Sequence, residues 1–122
     1  MVKKKVLIIE DEKSILEAQA MILENKFEVI KAIDGNEGYN LAKKHLPDLI
    51  VLDLMLPFRG GYDLAFHFRQ DKKLKDTIIL KVSALSQEID KKKGKMVGAN
   101  YYMTKPFEPE EFLSKVRELL SE

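Results

Sequence analysis

The 122-residue chain contains no cysteine, which excludes disulfides, thiolate metal sites and cysteine nucleophiles. A strong charge of one sign is missing too. Lys and Arg (21) nearly balance Asp and Glu (20), leaving a formal net charge of +1, so no global field draws the chain to nucleic acid or a membrane surface. Long apolar runs are also absent. The run Val6–Ile9 is too short for a signal peptide and is followed at once by acids. No stretch approaches the ~20 apolar residues of a membrane span. The expected location is the cytoplasm.

What is present is material for one hydrophobic core, with 45% apolar and 34% charged residues over a length typical of a single domain. Short apolar runs alternate with longer amphipathic segments. Strands are predicted at Val6–Ile9, Phe27–Ile30, Leu49–Leu52, Ile78–Val82 and Tyr101–Met103. Helices are predicted at Lys13–Asn25, Asn36–His45, Tyr62–Arg69, Gln87–Val97 and Pro109–Leu120. The inward stripe of the first helix reads as Ile15, Ala18 and Ile22, and that of the last as Phe112, Val116, Leu119 and Leu120. Five strands alternating with five helices predict βαβ units and a parallel sheet in one α/β domain over 1–122, with no linker, repeat or second domain.

Open parallel sheets gather their chemistry beyond the carboxyl ends of the strands. There the sequence sets Glu10-Asp11-Glu12 after the first strand, Asp53 after the third, Ser83-Ala84 after the fourth and Thr104-Lys105-Pro106 after the fifth. Asp11 and Asp53 offer oxygens to a hard divalent cation, with Glu10 acting through a water. Lys105, the Ser83 hydroxyl and backbone N–H groups near Ala84 suit a phosphoryl group whose charge must be balanced. Asp53 is then both ligand and nucleophile, because carboxylates form acyl-phosphates. Taken singly, each residue has an ordinary role: Asp11 or Glu12 as a helix cap, Asp53 as a turn residue, Ser83 as a loop hydroxyl, Lys105 as a solvated cation. Their joint arrival at the ends of four strands is what points to a site.

In that order and spacing, VLIIEDEKSI, DLIVLDLMLPFRGG, VSA and GANYYMTKPFEPEEF resemble the receiver domain of two-component response regulators, over essentially the whole chain. The resemblance implies a flavodoxin-like, doubly wound five-stranded parallel sheet in the order 2-1-3-4-5 with five helices. It implies Asp53 as phosphoacceptor and Mg²⁺ (or Mn²⁺) held by Asp11, Asp53 and the Met55 carbonyl, with Glu10 through water. Ser83 becomes the switch hydroxyl, Ala84 a backbone donor, Lys105 the cation on the phosphoryl group and Tyr102 the aromatic that follows Ser83 inward. Pro106 is expected to follow a cis peptide bond.

The sequence departs from the family pattern at Glu10, where Asp is commoner, and at Gly60, where Asp is usual; Ser83 for Thr is a common alternative. Met55 and Leu85, which flank the line of water attack, are apolar, and slow self-dephosphorylation is expected.

The implied partner is a sensor histidine kinase or a histidine phosphotransfer protein, docking on Ser14, Ile15, Ala18, Pro106 and Phe107. A downstream protein target is expected on the face of the fourth helix, fifth strand and last helix. The basic run Lys91–Lys93 with Lys95 reads first as a solvated helix face. Asn100-Tyr101 stands where DNA-binding members carry two acids that pair across a dimer. A monomer without direct nucleic-acid contact is therefore expected.

A receiver-like interaction module that takes no phosphate is the alternative; it predicts loss of Asp53, Lys105 or the acidic pair, and all are present. An aspartate-nucleophile phosphatase needs Asp-x-Asp, which Asp53-Leu54-Met55 lacks. A flavodoxin needs a hydroxyl- and Gly-rich phosphate loop after the first strand, where this chain has acids.

Overall fold

The strands pair side by side in the order β2-β1-β3-β4-β5, all parallel. In the computed structural model they are β1 (Lys5–Ile9), β2 (Glu28–Ala32), β3 (Leu49–Asp53), β4 (Ile78–Ser83) and β5 (Tyr101–Thr104). The structure describes residues 2–56, 60–83 and 101–122, with only the backbone of Tyr62. Four helices lie within those residues: α1 (Lys13–Leu23), α2 (Gly35–His45), α3 (Gly61–Gln70) and α4 (Pro109–Leu119). The helix expected at Gln87–Val97, with its lysines, falls outside them, as do Ala84, Leu85 and Asn100.

The sheet is buried from both sides, which is why β3 is apolar on both faces until Asp53. Val6, Ile8, Leu49, Val51, Leu80 and Val82 join Leu16, Ala20 and Leu23 of α1 and Phe112, Val116 and Leu120 in and after α4 in one cluster. Leu7, Ile9, Ile50, Leu52 and Ile79 pack with Ala42 of α2 and with Leu64, Ala65 and Phe68 of α3 on the opposite face. Alternation along each strand therefore feeds two cores at once.

Two expectations need correction. α1 turns Leu16, Gln19, Ala20 and Leu23 inward, not the Ile15–Ala18–Ile22 stripe; Ala18 is exposed, and Ile15 and Ile22 are half-buried. Apolar residues occupy two adjacent stripes of this helix, and the pair of leucines one residue further along, about 100° round the axis, fills the core. β2 starts one residue later and ends two residues later than expected because it pairs with β1 from Lys5↔Glu28 to Ile9↔Ala32. As an edge strand it buries only Ala32 completely, so its alternation is weak.

Candidate functional site

The register of the sheet brings the acids together. β1 and β3 end side by side at Ile9↔Leu52, so the next residues, Glu10 and Asp53, emerge as neighbours. β3 pairs with β4 through Asp53↔Val82, and β4 with β5 through Ser83↔Thr104. Lys105 follows immediately, its N–H donating to the Ser83 carbonyl at 2.8 Å. The Lys105–Pro106 peptide is cis, as the resemblance implies.

At this edge Lys105 Nζ donates to Glu10 Oε1 at 2.5 Å and to Asp53 Oδ2 at 3.4 Å. Met55 N–H donates to Asp53 Oδ1 at 3.0 Å, and Glu12 N–H to Glu10 Oε2 at 3.2 Å. Glu10, Asp53 and Ser83 are buried, whereas Asp11 is exposed. Burial pushes the Glu10 carboxyl up to about 7, with the neighbouring Asp53 charge adding to the rise and the Lys105 hydrogen bond opposing it. Burial also works against the Lys105 charge, but the bond to Glu10 and the Asp53 and Glu10 carboxylates outweigh it and raise its pKa.

Glu10, Asp11 and Asp53 each present a carboxylate oxygen, all within 4.8 Å of one another. Helix capping does not occupy them: Glu12 is the N-cap of α1 and makes no side-chain cap bond. Three carboxylates facing one ammonium leave negative charge uncompensated when all are ionised, and the Asp53 charge adds to the rise that burial gives Glu10. An all-oxygen, net-anionic cluster of this size fits Mg²⁺ or Mn²⁺.

Of the remaining expected residues, Met55 lies two positions beyond Asp53 and is 60% exposed. Tyr102 is half-buried on β5. Ser14, Ile15, Ala18, Pro106 and Phe107 line one groove of about 490 Å³, completed by Gln19, Ile22, Lys105 and Pro109. Phe107 is held there by stacking on Phe112, centroids 4.9 Å apart. The structure thus brings all the described docking candidates beside the acidic edge.

Two residues of interest escaped the sequence reading. Gln19 is 3% exposed on α1, and its Oε1 has no hydrogen-bond partner among the described residues. Lys81 is 1% exposed in the middle of β4, and a lysine interrupting Ile-Ile-Leu-Lys-Val was its signal.

The family model described as "Response regulator receiver domain" matches residues 6–117. Among curated proteins, the chain is 42% identical over 117 residues to the DNA-binding dual master transcriptional regulator RpaA of Synechocystis, covering 95% of this chain and 48% of that one. It is also 42% identical over 118 residues to the alkaline phosphatase synthesis transcriptional regulatory protein PhoP of Bacillus subtilis, covering 96% and 48%. The chain spans about half the length of these curated relatives. Among solved structures, the Vibrio cholerae chemotaxis protein CheY4 superposes with a TM-score of 0.93 at 31% identity, covering 97% of this chain and 99% of that one. The Thermotoga maritima OmpR/PhoB homologue DrrB gives 0.88 at 29% identity, covering 99% and 54%.

Proposed function

The chain belongs to the response regulator receiver domain family, and from that premise we propose that Asp53 accepts a phosphoryl group from a histidine kinase or histidine phosphotransfer protein. The observation that carries this reading is Lys105 reaching both Glu10 and Asp53 at an edge shared with Asp11.

The Asp53 carboxylate forms a bond to phosphorus as the phosphorus–nitrogen bond of the donor breaks, and the departing imidazole nitrogen keeps the bond pair and takes a proton from solvent water. Asp53 is kept fixed for this by Met55 N–H and Lys105. The Lys105 ammonium balances charge on the transferred group. Asp11, Asp53 and the Met55 carbonyl would hold Mg²⁺ or Mn²⁺, with Glu10 through a water. Bound there, the cation supplies further neutralisation of the phosphoryl oxygens. Ser83 then turns toward the phosphoryl group and Tyr102 follows. The added charge and acceptor oxygens bias a two-state surface around β5 and the last helix toward its target-binding form.

The groove of Ser14, Ile15, Ala18, Pro106 and Phe107 receives the donor protein. Small donors such as acetyl phosphate reach Asp53 without it, so the domain phosphorylates itself from them and loses the group slowly, as a signalling device rather than an enzyme.

Radiolabelled acetyl phosphate tests the assignment. Wild type is expected to take one acyl-phosphate and Asp53→Asn none, while persistent labelling of Asp53→Asn at another residue overturns it. Lys105→Ala is expected to uncouple labelling from the surface change more than it blocks labelling.

A further inference from the structure

β4 carries a lysine where every neighbour demands an apolar group. Ile78, Ile79, Leu80 and Val82 flank Lys81, which is 1% exposed. Lys81 and Ser83, two residues apart on one strand, point to the same face of the sheet. On that face the cross-strand partner of Lys81 is Leu52 on one side and Tyr102 on the other. The Lys81 Nζ lies 4.0 Å from the centroid of the Tyr102 ring, well inside cation–π range. Burying an ammonium is costly unless it is partnered. The ring is one partner among others, since both residues make further interactions.

We propose that Lys81 is a positioning residue for Tyr102: its buried ammonium holds the ring in place, and movement of the ring with Ser83 must break that hold. This deepens the receiver reading and rests on it. The ammonium that serves Glu10 and Asp53 belongs to Lys105, not to Lys81. Lys81 therefore sets how readily the surface switches, not whether Asp53 reacts. Giving up a desolvated cation–π interaction on switching changes the equilibrium by about three- to thirtyfold.

The test uses Lys81→Met, which keeps most of the length of the side chain and removes its charge. Tyrosine rings are labelled with ¹³C, and the resonance of Tyr102 among the four tyrosines is identified by its loss in Tyr102→Phe. In the unliganded protein Lys81→Met is expected to shift that resonance. Beryllium fluoride with Mg²⁺, a phosphoryl mimic, is expected to bind Lys81→Met about three- to thirtyfold more tightly. An unmoved resonance overturns the cation–π pairing. A shifted resonance with unchanged or weaker beryllium fluoride binding overturns the role in switching. Should Lys81→Met fail to fold, Tyr102→Leu removes the ring instead: tighter beryllium fluoride binding supports the proposal and unchanged binding overturns it. Wild type that binds no beryllium fluoride and takes no acetyl phosphate label refutes the receiver reading itself, and the role in switching with it, whereas the Tyr102 resonance still decides the pairing.

Discussion

Lys105 Nζ sits 2.5 Å from Glu10 Oε1, and the same ammonium reaches Asp53 Oδ2 at 3.4 Å. One largely buried cation is thus shared by two buried carboxylates from adjacent strands, with Asp11 at their edge. The arrangement ties the fifth strand's exit loop to the ends of β1 and β3. It also buries a carboxyl, Glu10, beside a second carboxylate, and a measurable property of the site follows from that burial.

That property is a pH dependence. Glu10 is pushed up to about 7 from an ordinary 4.5, so the folded protein binds that proton more tightly than the unfolded chain. Its contribution to stability is present below about pH 4.5 and is lost as pH rises through about 7. Urea unfolding of the metal-free protein should show Glu10→Gln gaining on wild type by about 1–3 kcal/mol between roughly pH 5 and pH 8. Mg²⁺ should stabilise wild type more at the alkaline end, where the carboxylate is ionised. Parallel pH profiles for the two proteins refute this.

Two consecutive glycines should behave oppositely. A Cβ on Gly61 would lie 2.6 Å from both the Asp53 carbonyl oxygen and Leu54 Cα, which are backbone atoms that cannot swing aside. Gly61→Ala should cost about 1–3 kcal/mol and slow acetyl phosphate labelling, because the segment that must shift carries Asp53. Gly60, the N-cap of α3, has φ −65° and ψ 155° with no side-chain cap, and a Cβ there meets nothing within 4 Å. Gly60→Ser should stabilise by about 0.4–1 kcal/mol through a less free unfolded chain and a capping hydroxyl. Thermal unfolding of the two variants checks both signs.

The groove between α1 and the Pro106–Phe107 loop gives a donor-specific prediction. Ile15 is half-buried and lines it without belonging to the core. Ile15→Glu should slow phosphotransfer from a phosphohistidine protein by about tenfold or more and leave acetyl phosphate labelling within about twofold. Equal loss with both donors would place the damage in the fold.

The sequence was legible where burial is two-sided or chemistry is concentrated. Leu49–Asp53 reads as a buried strand ending in an acid because both faces of β3 are covered. Glu10, Asp11, Asp53 and Lys105 were visible because strand ends in a parallel sheet converge. The phase of α1 was not legible, since Ile15, Ala18 and Ile22 form as good a stripe as Leu16, Ala20 and Leu23; only packing against β1 and α4 decides. Nor was the pairing of Lys81. The lysine interrupting an apolar strand was its signal, but its pairing with Tyr102 lies across two strands 21 residues apart in sequence, which no local pattern encodes. The close approach of Gly61 to Asp53 is likewise a tertiary effect.

Met55 gives a prediction about how long a phosphoryl group on Asp53 should last. Its N–H is spent on Asp53 Oδ1 at 3.0 Å, and the residue is 60% exposed beside Asp53. A thioether neither accepts a water's proton nor aligns the water for attack on phosphorus. Leu85, the other expected flank, lies outside the described residues. Hydrolysis should therefore run at a slow intrinsic rate, with a lifetime of many minutes or longer in the purified protein. Met55→Asn adds an amide that can hold a water, and should shorten the lifetime by roughly three- to tenfold without changing labelling at Asp53. Loss of acid-labile ³²P over time measures both. A wild-type lifetime of seconds refutes the slow release, and an unchanged lifetime in Met55→Asn shows that position 55 does not control access of water.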